Sequence, residues 1–336
     1  MTDLGKIDAD FFERVVAPNL GADSGAVSLG PTAGIDFGVL EVDGQAIVTA
    51  TDPLSVLPAL GLERAGRLAI DIVLSDVAVS GVAPTHLAIA LTVPPEYPSS
   101  DLSALWRGID AHARELGVSI ATGHTGRYPG VDSSWIGSGT ALGVGRPDDL
   151  VRPDGARPGD ALVVSTGPAA EVAGLFSTLY PERLGLDPET VATAQERLED
   201  IPAVEDALTA HDAGQVTAMH DATEGGIAGG LNEMADGAGA RFEINPDAVP
   251  VAPGVEAVCD AIDVDPWHVT SCGTLLIAVE SGDASDVVAT LERKGTPAAI
   301  AGQVTDGEGV YTDGGRLEPP ASDPSWAAAS RLSNDS

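Results

Sequence analysis

Basic residues are what this chain has least of. Lysine occurs only at positions 6 and 294, and Lys and Arg together number 17 against 51 Asp and Glu, for a formal net charge of −34. No basic stripe is present that could displace counterions from a phosphate backbone, which excludes nucleic acid as a partner. Cysteine is as rare: Cys259 and Cys272 stand alone, without Cys-x-x-Cys spacing, so neither a zinc site nor a disulfide framework is indicated and both read as core thiols. No apolar run approaches the roughly 18 uninterrupted residues that a membrane span requires, and no basic segment followed by an apolar one opens the sequence. The reading is therefore of a cytoplasmic protein with no membrane partner.

So large an acidic excess weakens a compact state through self-repulsion, which a Debye length of roughly 3 Å at 1 M salt would largely remove. The composition thus suits a salt-rich, halophilic cytoplasm. A disordered acidic chain is the competing interpretation, but the acids are dispersed among periodic apolar segments instead of lying in blocks. With 336 residues there is length for two domains. Two α/β halves are expected, residues 1–150 and 151–320, divided where Arg146 to Gly159 replaces periodic apolar text with prolines, glycines and charges. A Pro-, Ser- and Asp-rich tail, 321–336, reads as mobile.

In the first half, Ile7 to Val16 has helical spacing, and two β-rich runs flank a Val42-Asp-Gly-Gln45 turn. Asp36 and Asp52 then fall at the far ends of one hairpin, where two acids 16 residues apart in sequence can converge on a cation. The segment from Gly61 to Val82 reads as a helix and contains Asp71-Ile-Val-Leu-Ser-Asp-Val-Ala-Val-Ser-Gly81. Asp71 and Asp76 cannot both lie on its exposed edge, and neither is buried without a partner. Ala78, Ser80 and Gly81 admit a backbone or a phosphate chain, so the stretch has the chemistry of a magnesium-nucleotide site. The plainer interpretation is a core helix with Asp76 as punctuation. A strand is expected over Thr85 to Val93, a helix capped by Ser100 and stopped by Gly117, and then His124, Thr125 and Arg127 just past a strand, where α/β proteins place ligand contacts.

In the second half, a strand from Asp160 to Thr166 leads to a helix from Glu171 to Thr178, and Leu186 to Ala210 reads as helical and solvated with Pro202 as an interruption. The stretch Ala218-Met-His-Asp-Ala-Thr-Glu-Gly-Gly-Ile227 places Asp221 and Thr223 just ahead of Gly225 and Gly226, so that amides at a helix start would be open to an anion. A plain N-cap followed by glycines for close packing is the alternative.

Taken in order, these motifs resemble one superfamily, the ATP-dependent enzymes related to aminoimidazole ribonucleotide synthetase. Leu74-Ser-Asp-Val-Ala-Val-Ser-Gly81 is similar to its Asn/Ser-Asp-hydrophobic-Ala helix. Thr51-Asp52-Pro53 is similar to its Thr-Asp segment and Gly123-His124-Thr125 to its Gly-Gly-(Asp/His/Glu)-Thr/Ser loop. His220-Asp-Ala-Thr-Glu-Gly-Gly-Ile227 and Ser271-Cys-Gly-Thr-Leu-Leu-Ile277 resemble segments of HypE-type hydrogenase-maturation proteins.

The resemblance implies a two-domain α/β fold whose N-terminal sheet pairs across a homodimer into a β-barrel. It implies ATP and Mg²⁺ as cofactors, with Asp36, Asp52 and Asp76 at the metal and triphosphate. Asp76, His124 and Asp221 would be catalytic, Asp221 facing the same cleft from the second domain, and Thr125, Thr223, Gly225 and Gly226 would line the nucleotide. The implied activity is phosphoryl transfer to a small-molecule or peptide oxygen acceptor, with a catalytically inactive nucleotide-binding scaffold as the alternative. Two departures bear on the acceptor: Glu224 replaces an Arg of the HypE-type motif, and the chain ends Arg331-Leu-Ser-Asn-Asp-Ser336 where HypE-type proteins end in a cysteine tail.

Overall fold

Asp43 and Gly44 both hold left-handed backbone, with φ of 51° and 76°, which a two-residue hairpin turn of matching twist requires at both positions. They join two strands that follow β1 (Val27–Leu29): β2 (Gly38–Val42) and β3 (Gln45–Ser55), with Val42 registered on Gln45 and Gly38 on Thr49. The expected hairpin is therefore present. The computed structural model describes residues 5–7, 9–131, 134–201 and 203–334. Asp8, Pro202, Asp335 and Ser336, which the sequence reading drew into a first helix, a helix break and a tail, lie outside the described residues.

The chain divides into two units. The first comprises Asp23–Pro31 and Asp36–Leu150; the second comprises the segment ending at Ala22, Thr32–Ile35 and everything from Val151. In the first unit, α1 (Leu62–Ala78) precedes β4 (Pro84–Val93), and α2 (Ser99–Glu115) carries the chain across to β5 (Ser119–Arg127), which runs parallel to β4. With β6 (Trp135–Gly145), these strands form a six-stranded sheet in the order β1-β2-β3-β6-β4-β5. Gly117, at φ 71°, stops α2 as expected, but Ser100 does not cap it. The helix begins one residue earlier, after Pro98, and the Ser100 hydroxyl turns to Asp101 Oδ1 at 3.0 Å.

Glycine decides how the helices of this unit meet. A Cβ on Gly108 of α2 would lie 1.9 Å from the carbonyl oxygen of Glu63 in α1, and one on Gly66 would lie 2.3 Å from that of Leu105. On the sheet side, Gly139 and Gly143 of β6 leave room for Val73 and Val77 of α1. Residues of β3 alternate accordingly, with Ala46, Val48, Ala50 and Leu54 buried toward the helix layer.

The second unit is built on β7 (Asp160–Ser165), all six residues of which are buried. That is the pattern of a strand covered on both faces. After it come α3 (Ala170–Leu179), α4 (Pro188–Gln195), α5 (Val204–Ala213), β8 (Val216–Asp221), α6 (Gly226–Ala238), β9 (Arg241–Ile244) and α7 (Val255–Ile262). Then follow β10 (Leu275–Glu280), α8 (Ala284–Lys294), β11 (Ala298–Thr305), β12 (Gly309–Thr312), β13 (Gly315–Arg316) and α9 (Pro324–Asn334). The seven strands are ordered β13-β12-β9-β11-β7-β10-β8, antiparallel except for β12 beside β9.

Three expectations are corrected here. The stretch from Leu186 to Ala210 is broken into α4, a 3₁₀ turn over Glu196–Asp200 and the start of α5, and it is not solvated, because Val191, Ala194, Leu198, Ala207 and Ala210 are buried. The tail forms α9, whose Ala328 is fully buried in a cluster with residues of α3 and α7. Arg331 donates to the Ile262 carbonyl at 2.6 Å and Tyr180 shares a 2.8 Å hydrogen bond with Ser333. The helix expected over Ile7 to Val16 is present as Ala9–Phe11 followed by a π-helical turn Phe12–Val16, but Phe12–Val16 buries none of its residues, and the segment groups with the second unit.

The contact between α1 and α2 yields a test. Gly→Ala in an exposed helix gains about 1 kcal/mol, whereas Gly108→Ala should destabilise the first unit by about 3 kcal/mol or more, since its methyl meets backbone that has no rotamer to escape into. A urea melt giving a midpoint at or above that of the unsubstituted protein would show that the helices are not packed as described.

Candidate functional site

The helix α1 carries two carboxylates into an apolar setting. Asp71 is 1% and Asp76 4% exposed, among Ile70, Val73, Leu74 and Val77. Neither can be there without compensation, since an isolated buried charge costs far more than helix formation returns. For Asp71 the structure shows the compensation. Asp71 Oδ1 lies 2.7 Å from His112 Nε2 of α2, and its other oxygen accepts from Ser75 Oγ at 3.4 Å. His112, itself 4% exposed, also reaches Glu115 Oε2 at 3.5 Å through Nδ1, and Glu115 pairs with Arg67 at 2.7 Å. Hydrogen bonding from Arg67 holds the Glu115 carboxyl below its ordinary range. Asp71 is thus the structural acid, tied across the α1–α2 contact.

Asp52 is directed toward the same helix layer as Asp76. It follows the buried alternation of Ala46, Val48 and Ala50 along β3, and its registered partner Gly139 faces Val73, one turn ahead of Asp76 on α1. Thr51 lies on the other face and bonds Thr140 Oγ1 at 3.0 Å. Asp36 precedes β2 and is half-buried. The oxygens of Asp36, Asp52 and Asp76 are not gathered within 4.8 Å of one another. For Mg²⁺ this is no obstacle: the ion keeps several waters and is held by one or two carboxylates together with phosphate oxygens, so an all-oxygen, acidic donor set of this kind fits it.

His124 and Thr125 are placed differently from the sequence reading. They lie within β5, registered on Ala90 and Leu91 of β4, and not in a loop beyond a strand. The strand was underestimated because its residues are exposed over most of its length and show no alternation. His124 Nε2 is 2.7 Å from Tyr128 Oη and the two rings stack with centroids 6.0 Å apart. A Cβ on Gly126 would strike that tyrosine ring at 2.7 Å, so Gly126 is what allows the pair. Arg127 donates to the Tyr97 carbonyl and to Ser99 Oγ, closing the loop ahead of α2.

In the second unit, Asp221 ends β8, 3% exposed and registered on Leu275. His220, 1% exposed, donates from Nδ1 to the Asp221 carbonyl at 2.6 Å and brings Nε2 within 3.0 Å of Glu233 Oε2. Burial would raise the Glu233 carboxyl, but bonding and charge from His220 outweigh it and the net displacement is downward. Thr223 and Glu224 are half-buried, and the turn ends in Gly225 and Gly226 at φ of 80° and 62° ahead of α6. The amides at this helix start are not open to an anion as expected. Gly225 N–H donates to Asp323 Oδ2 at 3.0 Å, and Gly226 N–H to the Thr223 carbonyl at 2.9 Å. Glu224 accepts the backbone N–H of Lys6 at 2.8 Å.

Two groups were missed in the sequence. One is Asp323, hidden in a tail whose composition signals only disorder. The other surrounds Glu171, whose Oε2 accepts from Thr270 Oγ1 at 2.6 Å and Cys272 N–H at 3.1 Å, beside left-handed Thr166 and Ala169. Burial first, then the charges of Glu171 and Asp221, pushes the Cys272 thiol well up, and burial pushes Cys259 to about 12. Both cysteines are buried and unbridged, as expected of core thiols. The division of labour on α1 is testable: His112→Ala strands Asp71 in the interior and should cost about 3–5 kcal/mol in a denaturant melt, with nucleotide affinity unchanged. Lost affinity in a well-folded variant would move His112 into the ligand site.

Residues 34–145 match the N-terminal domain, and residues 157–314 the C-terminal domain, of AIR synthase related proteins. The chain is 31% identical over 300 residues to the carbamoyl dehydratase HypE of Rhizobium leguminosarum bv. viciae, covering 85% of this chain and 83% of that protein. It is 30% identical over 310 residues to a putative hydrogenase expression/formation protein of Methanocaldococcus jannaschii, covering 90% and 88%. Among solved structures, Escherichia coli HypE, a hydrogenase maturation protein, superposes with a TM-score of 0.72 at 28% identity over 83% of this chain and 87% of that one. With both domains matched in order over most of its length, the chain belongs to the AIR synthase related family.

Proposed function

We propose that the chain is an ATP-dependent enzyme that transfers a phosphoryl group from Mg·ATP to an oxygen of a small-molecule or peptide acceptor. The observation that carries this is the gathering of acids on one layer of the first unit: Asp76, a carboxylate 4% exposed on an apolar helix, and Asp52, directed toward that same layer. Bound Mg²⁺ supplies neutralisation of the triphosphate charge, the largest electrostatic demand of such a transfer. In this reading Asp36, Asp52 and Asp76 hold the ion and the triphosphate, and Thr125 donates to phosphate oxygen. His124, hydrogen-bonded to Tyr128, is the group assigned to pass a proton in this reading. In the second unit Asp221 and Thr223 are the ligand-facing groups, and Gly225 and Gly226 shape the turn that carries Thr223. The name of the first relative, a carbamoyl dehydratase, supports an activity at an oxygen or amide group of the acceptor.

The working form is proposed to be a homodimer formed through the first unit's sheet. The edges of that sheet are β1 and β5, with the hairpin β2–β3 inside it. Beyond its exposed edge, β5 continues a sheet face on which Leu40, Ile47 and Leu142 are only half-buried and Val144 is 47% exposed. Strand edges and apolar sheet faces of this kind need covering. Light scattering in high salt should give twice the chain mass of 33.9 kDa; a mass of one chain under those conditions removes the dimer.

Calorimetry should find ATP binding that requires Mg²⁺, and ADP release should rise when an extract containing the acceptor is added. Magnesium-dependent binding with no turnover on any acceptor would favour the scaffold reading; no binding at all removes both. Asp76→Asn should abolish the Mg²⁺-dependent component while leaving the metal-free melting temperature equal or higher, because a neutral amide relieves repulsion among carboxylates. A variant that melts earlier yet binds Mg·ATP normally would return Asp76 to a structural role.

A further inference from the structure

The turn between β8 and α6 is held from a distance. Asp221 stays registered on Leu275, and Ala222 N–H donates to the Thr274 carbonyl at 2.9 Å, so the chain is anchored up to residue 222. From 226 onward it is helix. Between these lie Thr223, Glu224 and two successive glycines in left-handed conformation, the residues that lose most freedom on folding. Within the turn, Gly226 N–H finds the Thr223 carbonyl, whereas the acceptor for Gly225 N–H is the Asp323 carboxylate, 98 residues away.

Asp323 is built for this contact. It is 6% exposed, one oxygen accepts Gly225 N–H at 3.0 Å, and the other accepts Ser325 N–H at 2.8 Å, capping α9. The segment leading to it is laid along the second unit by carbonyls: Leu317 O accepts from Asn232 Nδ2 at 3.0 Å and Glu318 O from His268 Nε2 at 3.2 Å. The ring of Pro320 stands 3.6 Å from where a Cβ on Gly225 would lie, which closes the space above the turn. A carboxylate at the start of α6 is also favoured by the helix dipole, and a bond from amide to carboxylate is stronger than one from amide to carbonyl.

We infer that Asp323 is a positioning residue that fixes the Thr223–Gly226 turn through the Gly225 N–H. The inference rests on Thr223 being a ligand-facing group, as proposed above. Asp323 touches no ligand; it determines where Thr223 stands and whether α6 begins at Gly226.

Two variants of the full chain separate this role from simple docking of α9. Asp323→Ala removes both acceptors, while Ser325→Pro removes the donor that caps α9 and loosens the start of that helix, leaving the Asp323 carboxylate for Gly225. Hydrogen exchange followed by mass spectrometry should show amides 223–229 exchanging roughly tenfold faster in Asp323→Ala and at the original rate in Ser325→Pro. Mg·ATP affinity should fall severalfold in the first variant only. Should Asp323→Ala fail to fold, Asp323→Asn, with one acceptor for two donors, is measured in its place, with faster exchange again expected in residues 223–229. Exchange over 223–229 unchanged on loss of the carboxylate, or raised equally by Ser325→Pro, overturns the inference. If the unsubstituted protein binds no Mg·ATP but the exchange rates separate as stated, the functional reading falls and the role of Asp323 stands.

Discussion

With 51 acids and 17 basic side chains, most carboxylates of this chain go without an ion pair, and several buried or half-buried ones are served by other donors. Asp160 accepts from the Arg157 backbone N–H and from Thr217 Oγ1; Thr296 Oγ1 reaches both oxygens of Asp206. Glu171 takes a hydroxyl and an amide, Asp323 two amides, and Asp71 an imidazole. Each of these donors is short and fixed to backbone or to a helix, so each carboxylate also fixes the segment that serves it. Arginine pairs such as Arg107 with Glu63 or Arg67 with Glu115 lie at the surface, where such contacts contribute little.

This constraint gives a sense to Glu224. In the HypE-type motif the position holds arginine, a cation able to meet phosphate. Here the carboxylate receives the Lys6 amide, and the neighbouring Gly225 amide receives a second carboxylate from Asp323. The turn here carries a negative charge and is met by a backbone amide and a second carboxylate. Both partners come from parts of the chain remote in sequence, so the turn has become a meeting point for the two extremities of the second unit.

Elements whose code is local were legible. The Asp43-Gly44 turn, the strand before Pro94, the helix stop at Gly117 and the strand-to-glycine passage after Asp221 each follow from conformations that few residues can adopt. What was not legible depends on distant partners. The partner of Asp71 is on another helix, and no spacing within α1 identifies His112. The strand β5 escapes alternation because it is exposed on most positions. Helix α9 shows no clear apolar stripe in sequence, and its packing of Ala328, Ala329 and Leu332 into the cluster of α3 and α7 gives it stability. For the site, residue types and order marked the acids correctly as unusual, but whether the amides at Gly225 and Gly226 are open is a question about acceptors that a local reading cannot answer.

In sequence, the second unit is interrupted by the first: the chain contributes residues up to Ala22, then Thr32–Ile35, and completes the second unit only from Val151. During synthesis this imposes an order. The first unit has all of its strands and both helices before residue 151 is made and can close on its own. The second must wait, with its opening segment already made, until α9 emerges to bury Ala328 and deliver Asp323 to Gly225. Over that interval the hydrophobic surfaces of α3 and α7 are open to solvent and to other chains, until the residues of α9 cover them.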